Sequence, residues 1–136
     1  MNFSLINIGD KKSKKKKITK DLILKFSKIS GDMNPIHIDD EYLKKSRFKK
    51  NVAQGQLCVS FFSEIFGNEL PGPNSLISFQ KFKFIRPVYV NDDLLITATV
   101  KDINKKKRKL LFNCNAYVKN KIVISGETEI FFPKKK

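Results

Sequence analysis

The 136-residue chain has no tryptophan, one histidine, two cysteines and two methionines. With a single imidazole and two separated thiols, Cys58 and Cys114, it lacks the side chains for an ordinary zinc site, so no metal ligands are expected. Two cysteines cannot build a disulfide framework either. Both lie in apolar segments and read as buried free thiols of a reducing compartment, so a cytoplasmic location is expected. No stretch approaches the ~20 apolar residues of a membrane span, and no membrane insertion is expected. Residues 1–8 are too short for the apolar part of a secretion signal, and the basic run follows them instead of preceding them. Acidic residues are scarce, 13 against 28 Lys and Arg, for a net charge of +15. That balance suits polyanionic partners such as nucleic acid, a membrane surface or a phosphate-bearing small molecule. Two features weigh against nucleic acid. Lysine greatly outnumbers arginine, the usual bidentate reader. The joint richness in Lys, Asn, Ile and Phe also fits an AT-rich coding sequence.

What is present is enough for one core: 40% hydrophobic residues, 12 of them Phe. A single domain over 1–136 is expected, with 1–18 as a short N-terminal strand (2–8) followed by a mobile, solvated lysine-rich segment. Thr19 is a candidate N-cap with Asp21 in the first turn, and Leu22, Ile23, Phe26 and Ile29 recur at helical spacing. Residues 39–46 read as a short helix, acidic at its start and basic at its end. Residues 54–66 form the strongest helical pattern. Leu57, Phe61 and Ile65 lie four apart, as do Cys58, Phe62 and Phe66, which predicts a helix buried nearly all round and stopped by Gly67. Four segments, 76–86, 93–101, 110–119 and 122–132, carry β-branched and aromatic alternation, with Asn120-Lys121 as a hairpin candidate. The predicted class is α+β: about five strands of curved, mainly antiparallel sheet wrapped around one long central helix.

The distinctive stretch is Ser30-Gly31-Asp32-Met33-Asn34-Pro35-Ile36-His37, which holds the lone histidine. Gly31 and Asn34 tolerate unusual backbone angles, and Pro35 keeps Asn34 out of the helical region. The result is a rigid bend that can aim Asp32 and His37 at one point, where they would share a water or a substrate proton. The alternative is that Asp32 caps a turn and His37 is an ordinary half-buried ring.

The run from Phe26 through Asp39, with Gly31-Asp32-Met33-Asn34-Pro35-Ile36-His37 at its centre, closely resembles the signature of (R)-specific enoyl-CoA hydratases and MaoC-like dehydratases. The resemblance continues through Glu41-Tyr42-Leu43-Lys44-Lys45-Ser46-Arg47-Phe48, Val52-Ala53-Gln54-Gly55, Leu70-Pro71-Gly72-Pro73 and Phe84-Ile85-Arg86-Pro87-Val88. It covers nearly everything from Thr19 onward. It implies a hot-dog fold, usually paired into a homodimer, and reversible syn addition of water to a trans-2-enoyl thioester, giving the (R)-3-hydroxyacyl thioester. On that resemblance Asp32 activates the water with His37 as its acid–base partner. Gly55 offers a helix N-terminal N–H to the thioester oxygen. Ser63 orients Asp32, and Asn34 fixes the corner. Phe61, Phe62 and Phe66 are expected in the core instead of lining an acyl pocket, and Arg86 reads as a strand-end charge. The substrate would be an acyl-CoA or acyl-carrier thioester, whose CoA or phosphopantetheine belongs to the substrate, so no separate cofactor is implied. Two departures stand out. Gln54 replaces a common His before the helix glycine, and Lys49-Lys50-Asn51 replaces a turn that often carries Gly and Pro. The added lysines suit the phosphates of CoA or an acidic carrier protein. Other readings are a hot-dog thioesterase or thioester-binding module, and a basic nucleic-acid-binding barrel; no specific nucleic-acid partner is expected.

Overall fold

In the computed structural model, which describes residues 2–135, five antiparallel strands form one sheet in the order β1-β3-β4-β5-β2. Met1 and Lys136, the two ends of the expected domain, lie outside the described residues. The elements in chain order are β1 (Lys11–Lys17), α1 (Lys20–Ser30), α2 (Pro35–Ile38), α3 (Asp40–Lys44), α4 (Gly55–Ser60), α5 (Phe62–Asn68), β2 (Leu76–Phe84), β3 (Asp93–Asn104), β4 (Lys109–Val118) and β5 (Lys121–Phe131).

Alternation decides which face of the sheet turns inward. Leu94, Ile96, Ala98 and Val100 on β3, and Leu110, Phe112, Cys114 and Ala116 on β4, are buried at every second position. These rows close over α4 and α5, whose Leu57, Cys58, Phe62, Ile65 and Phe66 are buried with them. Phe66 meets Phe112 with ring centroids 4.9 Å apart, and each such fully buried ring contributes about 2–3 kcal/mol of hydrophobic stabilisation. Phe62 and Phe66 are therefore core, as expected, and Phe61 is partly buried against it.

Several local expectations change. Residues 2–8 form no strand; Phe3–Leu5 is a single 3-10 turn. The lysine run is instead the edge strand β1, paired along its length with β3 from Lys11↔Thr99 to Lys17↔Asp93. Its order comes from alternation of a different kind. Lys14 reaches Glu69 at 3.0 Å and Lys16 reaches Glu64 at 2.7 Å, both on or just after α5, while Lys11, Lys12, Lys15 and Lys17 face solvent.

The long helix is two helices meeting at Phe61. Ser60 Oγ donates to Leu57 O at 2.6 Å, the acceptor that a regular helix would offer to Phe61 N–H. Phe61 N–H turns to Cys58 O at 3.4 Å instead. Gly67 lies inside α5 and does not stop it. The end comes where Glu69 and Leu70 both donate to Ile65 O. The β4–β5 hairpin turns on Lys119 and Asn120, both in the left-handed region (φ 50° and 65°), one residue before the expected pair. In the sheet β2 pairs with β5, which leaves β2 as the second edge.

Candidate active site

Thr19 Oγ1 accepts Leu22 N–H at 3.1 Å and starts α1. Gly31 ends it in the left-handed conformation (φ 79°), its N–H on Ser27 O at 2.8 Å. The chain then winds through two consecutive side-chain-to-backbone turns. Asp32 Oδ1 accepts Asn34 N–H at 3.0 Å, and Asn34 Oδ1 accepts Ile36 N–H at 3.3 Å. Pro35 occupies the first position of α2, where its missing N–H costs nothing. Asn34 thus holds the corner in place. His37 sits on this one-turn helix, not in an open bend.

His37 is 7% exposed. Its Nδ1 lies 2.6 Å from Val52 O. A carbonyl only accepts, so Nδ1 carries a hydrogen, and in the corresponding neutral tautomer Nε2 is an acceptor. Nε2 stands 3.5 Å from Asp32 Oδ2. In that tautomer the two acceptors cannot bond each other, whereas one water donating a hydrogen to each would satisfy both. Asp32 is 43% exposed, so solvent reaches its carboxylate.

His37 borders a cavity of about 510 Å³ whose walls also include Phe48, Val52, Gly55, Phe84 and Arg86. Gly55 opens α4, so its N–H has no acceptor within the helix and remains available. The Phe84 ring covers it so closely that a Cβ on Gly55 would lie 2.6 Å from Phe84 Cε1. Arg86 is not a free strand-end charge: its guanidinium donates to Ile122 O while lining the cavity. Cys58 also lines the wall, but burial, aided by the charge of Asp92, pushes its thiol up to about 12. It is no nucleophile at neutral pH.

His37 and Gly55 share the cavity wall, Asp32 stands beside His37, and Asn34 is tied to Asp32 through its backbone N–H. Ser63 does not join them. α5 buries Phe62, Ile65 and Phe66, which turns Ser63 outward into solvent, and among the described residues it has no hydrogen bond to Asp32. Phe61, Phe62 and Phe66 are absent from the cavity wall. Residues not singled out from the sequence do matter. Asn51 is buried and donates from Nδ2 to His37 O at 2.8 Å. Val52 holds His37 through its carbonyl, and its N–H donates to Ile36 O at 3.0 Å. A backbone acceptor leaves no mark in a sequence, but a lone Asn after two lysines was a usable signal.

Residues 6–121 match the family model described as MaoC like domain. An (R)-specific enoyl-CoA hydratase of Rhodospirillum rubrum is 34% identical over 131 residues, covering 96% of this chain and 91% of that protein. A 3-hydroxybutyryl-CoA dehydratase of Methylorubrum extorquens is 28% identical, over 98% of this chain and 85% of its own. Among solved structures, the R-hydratase PhaJ1 from Pseudomonas aeruginosa superposes with a TM-score of 0.92 at 29% identity, covering 98% of this chain and 86% of that one.

Proposed function

This chain belongs to the MaoC-like domain family, and from that premise we propose that it hydrates trans-2-enoyl thioesters reversibly to (R)-3-hydroxyacyl thioesters, with Asp32 and His37 acting on one water. It is an enzyme of the hydratase and dehydratase class, with the hot-dog fold. The observation that carries the Asp32–His37 reading is the approach of Asp32 Oδ2 to His37 Nε2, 3.5 Å apart, with His37 on the cavity wall.

In the hydration direction the bridging water gives its oxygen to C3 and a proton to C2 on the same face. One acceptor takes the proton that leaves as the C3–O bond forms, and the pair returns one to C2, so the enzyme ends as it began. The two groups titrate together and share the task. Charge that builds on the thioester oxygen is met by Gly55 N–H, aided by the positive end of α4. The net reaction is redox-neutral and the thioester brings its own CoA or phosphopantetheine, so we assign no further cofactor. The exposed Lys49 and Lys50, near the cavity residue Phe48, suit the phosphates of either carrier. We further propose that the chain works as one domain in the cytoplasm and as a homodimer. The edge strand β2 supports the dimer, since it exposes Leu76, Ile77, Phe79 and Phe84 together.

The test is purified protein with crotonyl-CoA, following loss of the enoyl absorbance and the chirality of the product. Formation of the (R)-3-hydroxy product supports the proposal. Release of free thiol without hydration refutes it in favour of a thioesterase.

A further inference from the structure

We propose that Gln54 is a positioning residue for this reaction: its buried amide fixes Gly55 N–H relative to the Asp32–His37 pair. The proposal rests on the function proposed above. Gln54 precedes Gly55 and occupies the N-cap of α4, yet its side chain makes no capping bond there. It reaches across to α1 instead. Nε2 donates to Ile23 O at 3.0 Å and to Ser27 Oγ at 2.9 Å, and Gln54 and Ser27 are each 2% exposed.

Ser27 is the residue whose carbonyl accepts Gly31 N–H, and Gly31 leads directly into Asp32. One amide therefore joins the turn that presents the carboxylate to the turn that presents the carbonyl donor. Two residues earlier, Val52 O holds His37 Nδ1. Residues 52–55 thus hold the imidazole, brace α1 and meet the thioester in succession. Only the bracing step runs through a side chain, so it is the step a substitution can remove.

The chemistry of the side chain points the same way. Oε1 of Gln54 is buried without a hydrogen-bond partner among the described residues. An orphaned buried acceptor destabilises the fold, and a leucine would fill the space without one. What the amide supplies and leucine cannot is the pair of N–H donors. Retaining them at that cost is expected where a fixed geometry matters more than stability.

The full-length protein carries the test, as wild type, Gln54→Leu, Gln54→His and Ser27→Ala, with crotonyl-CoA as the probe and thermal melting to give the folded fraction. Gln54→Leu is expected to lose ~10-fold or more in kcat per folded molecule with KM within about 3-fold of wild type, because misplacing a catalytic donor acts on the transition state. Gln54→His keeps one ring N–H donor and recovers most of kcat. Should Gln54→Leu fail to fold, Ser27→Ala, which removes one acceptor, is expected to show the same kcat-selective loss. A rate per folded molecule that stays at the wild-type value in these variants overturns the proposal and leaves the hydratase reading intact. A wild type that does not hydrate crotonyl-CoA overturns both.

Discussion

Gly55→Ala separates stability from activity at the point where the thioester carbonyl would sit. The new Cβ would lie 2.6 Å from Phe84 Cε1, 2.8 Å from Cδ1 and 3.2 Å from Cζ. Carbon atoms pack best at about 3.5–4.0 Å, so the ring must retreat by roughly 1 Å. Phe84 is 50% exposed and has room to swing, at about 0.5–1.5 kcal/mol for an off-rotamer side chain. Alanine returns up to ~1 kcal/mol of helix propensity, since Gly55 has an ordinary helical backbone. The two effects nearly cancel, and the melting temperature is expected to move by less than about 5 °C. Activity has no such compensation. The methyl group and the displaced ring both intrude where the carbonyl must approach Gly55 N–H, and a 1 Å misplacement costs on the order of 100-fold. Steady-state crotonyl-CoA kinetics beside a thermal melt read both quantities. A Gly55→Ala protein with wild-type kcat/KM would refute the assignment of Gly55. A large drop in melting temperature with proportionate loss of rate would refute the steric accounting.

Asp32→Asn and His37→Asn are each expected to lower kcat by about 10²–10⁴, and the double variant to lose little more than the worse single one, because the pair acts as a unit; additive losses in a double-mutant cycle would argue against a shared water. Burial pushes the thiols of Cys58 and Cys114 up to about 12 and 11, so neither should react with a thiol reagent at pH 8 until denaturant is added. Above the ordinary thiol value of 9.0 the unfolded chain releases protons that the folded chain keeps, so stability should fall from pH 9 upward, and Cys58→Ala should weaken that slope in alkaline urea titrations. On the acid side, Lys16 hydrogen-bonded to Glu64 holds its carboxyl below the ordinary 4.5, and Lys101 and Lys81 do the same for Glu127. Their contribution is fully present above pH 4.5 and is lost as pH falls through the depressed values. Melting temperatures should decline below pH 4.5, less steeply for Glu64→Gln.

Much of the site was legible because it is local. Asp32, Asn34 and His37 lie within six positions, and the turns that join them are bonds between near neighbours. The Thr19 cap was legible for the same reason. The lysine run was not, because its order depends on Glu64 and Glu69, some fifty positions away, and a search for apolar periodicity passes over charged partners. Ser63 misled for a related reason. Its place along the helix was right, but the break at Phe61 and the burial of Phe62 and Phe66 decide which way it points. The β2–β5 pairing joins segments far apart in the chain, a partnership that alternation within either strand does not encode.

The two rims of the sheet differ in kind. Along one, β1 presents a palisade of ammonium groups that repels any strand approaching in register. Along the other, β2 offers oily side chains and unclaimed backbone. The proposed second copy would dock along β2 and cover that apolar margin. A dimer closed along β2 would leave the charged β1 edge facing outward, where like charge opposes the addition of a further strand.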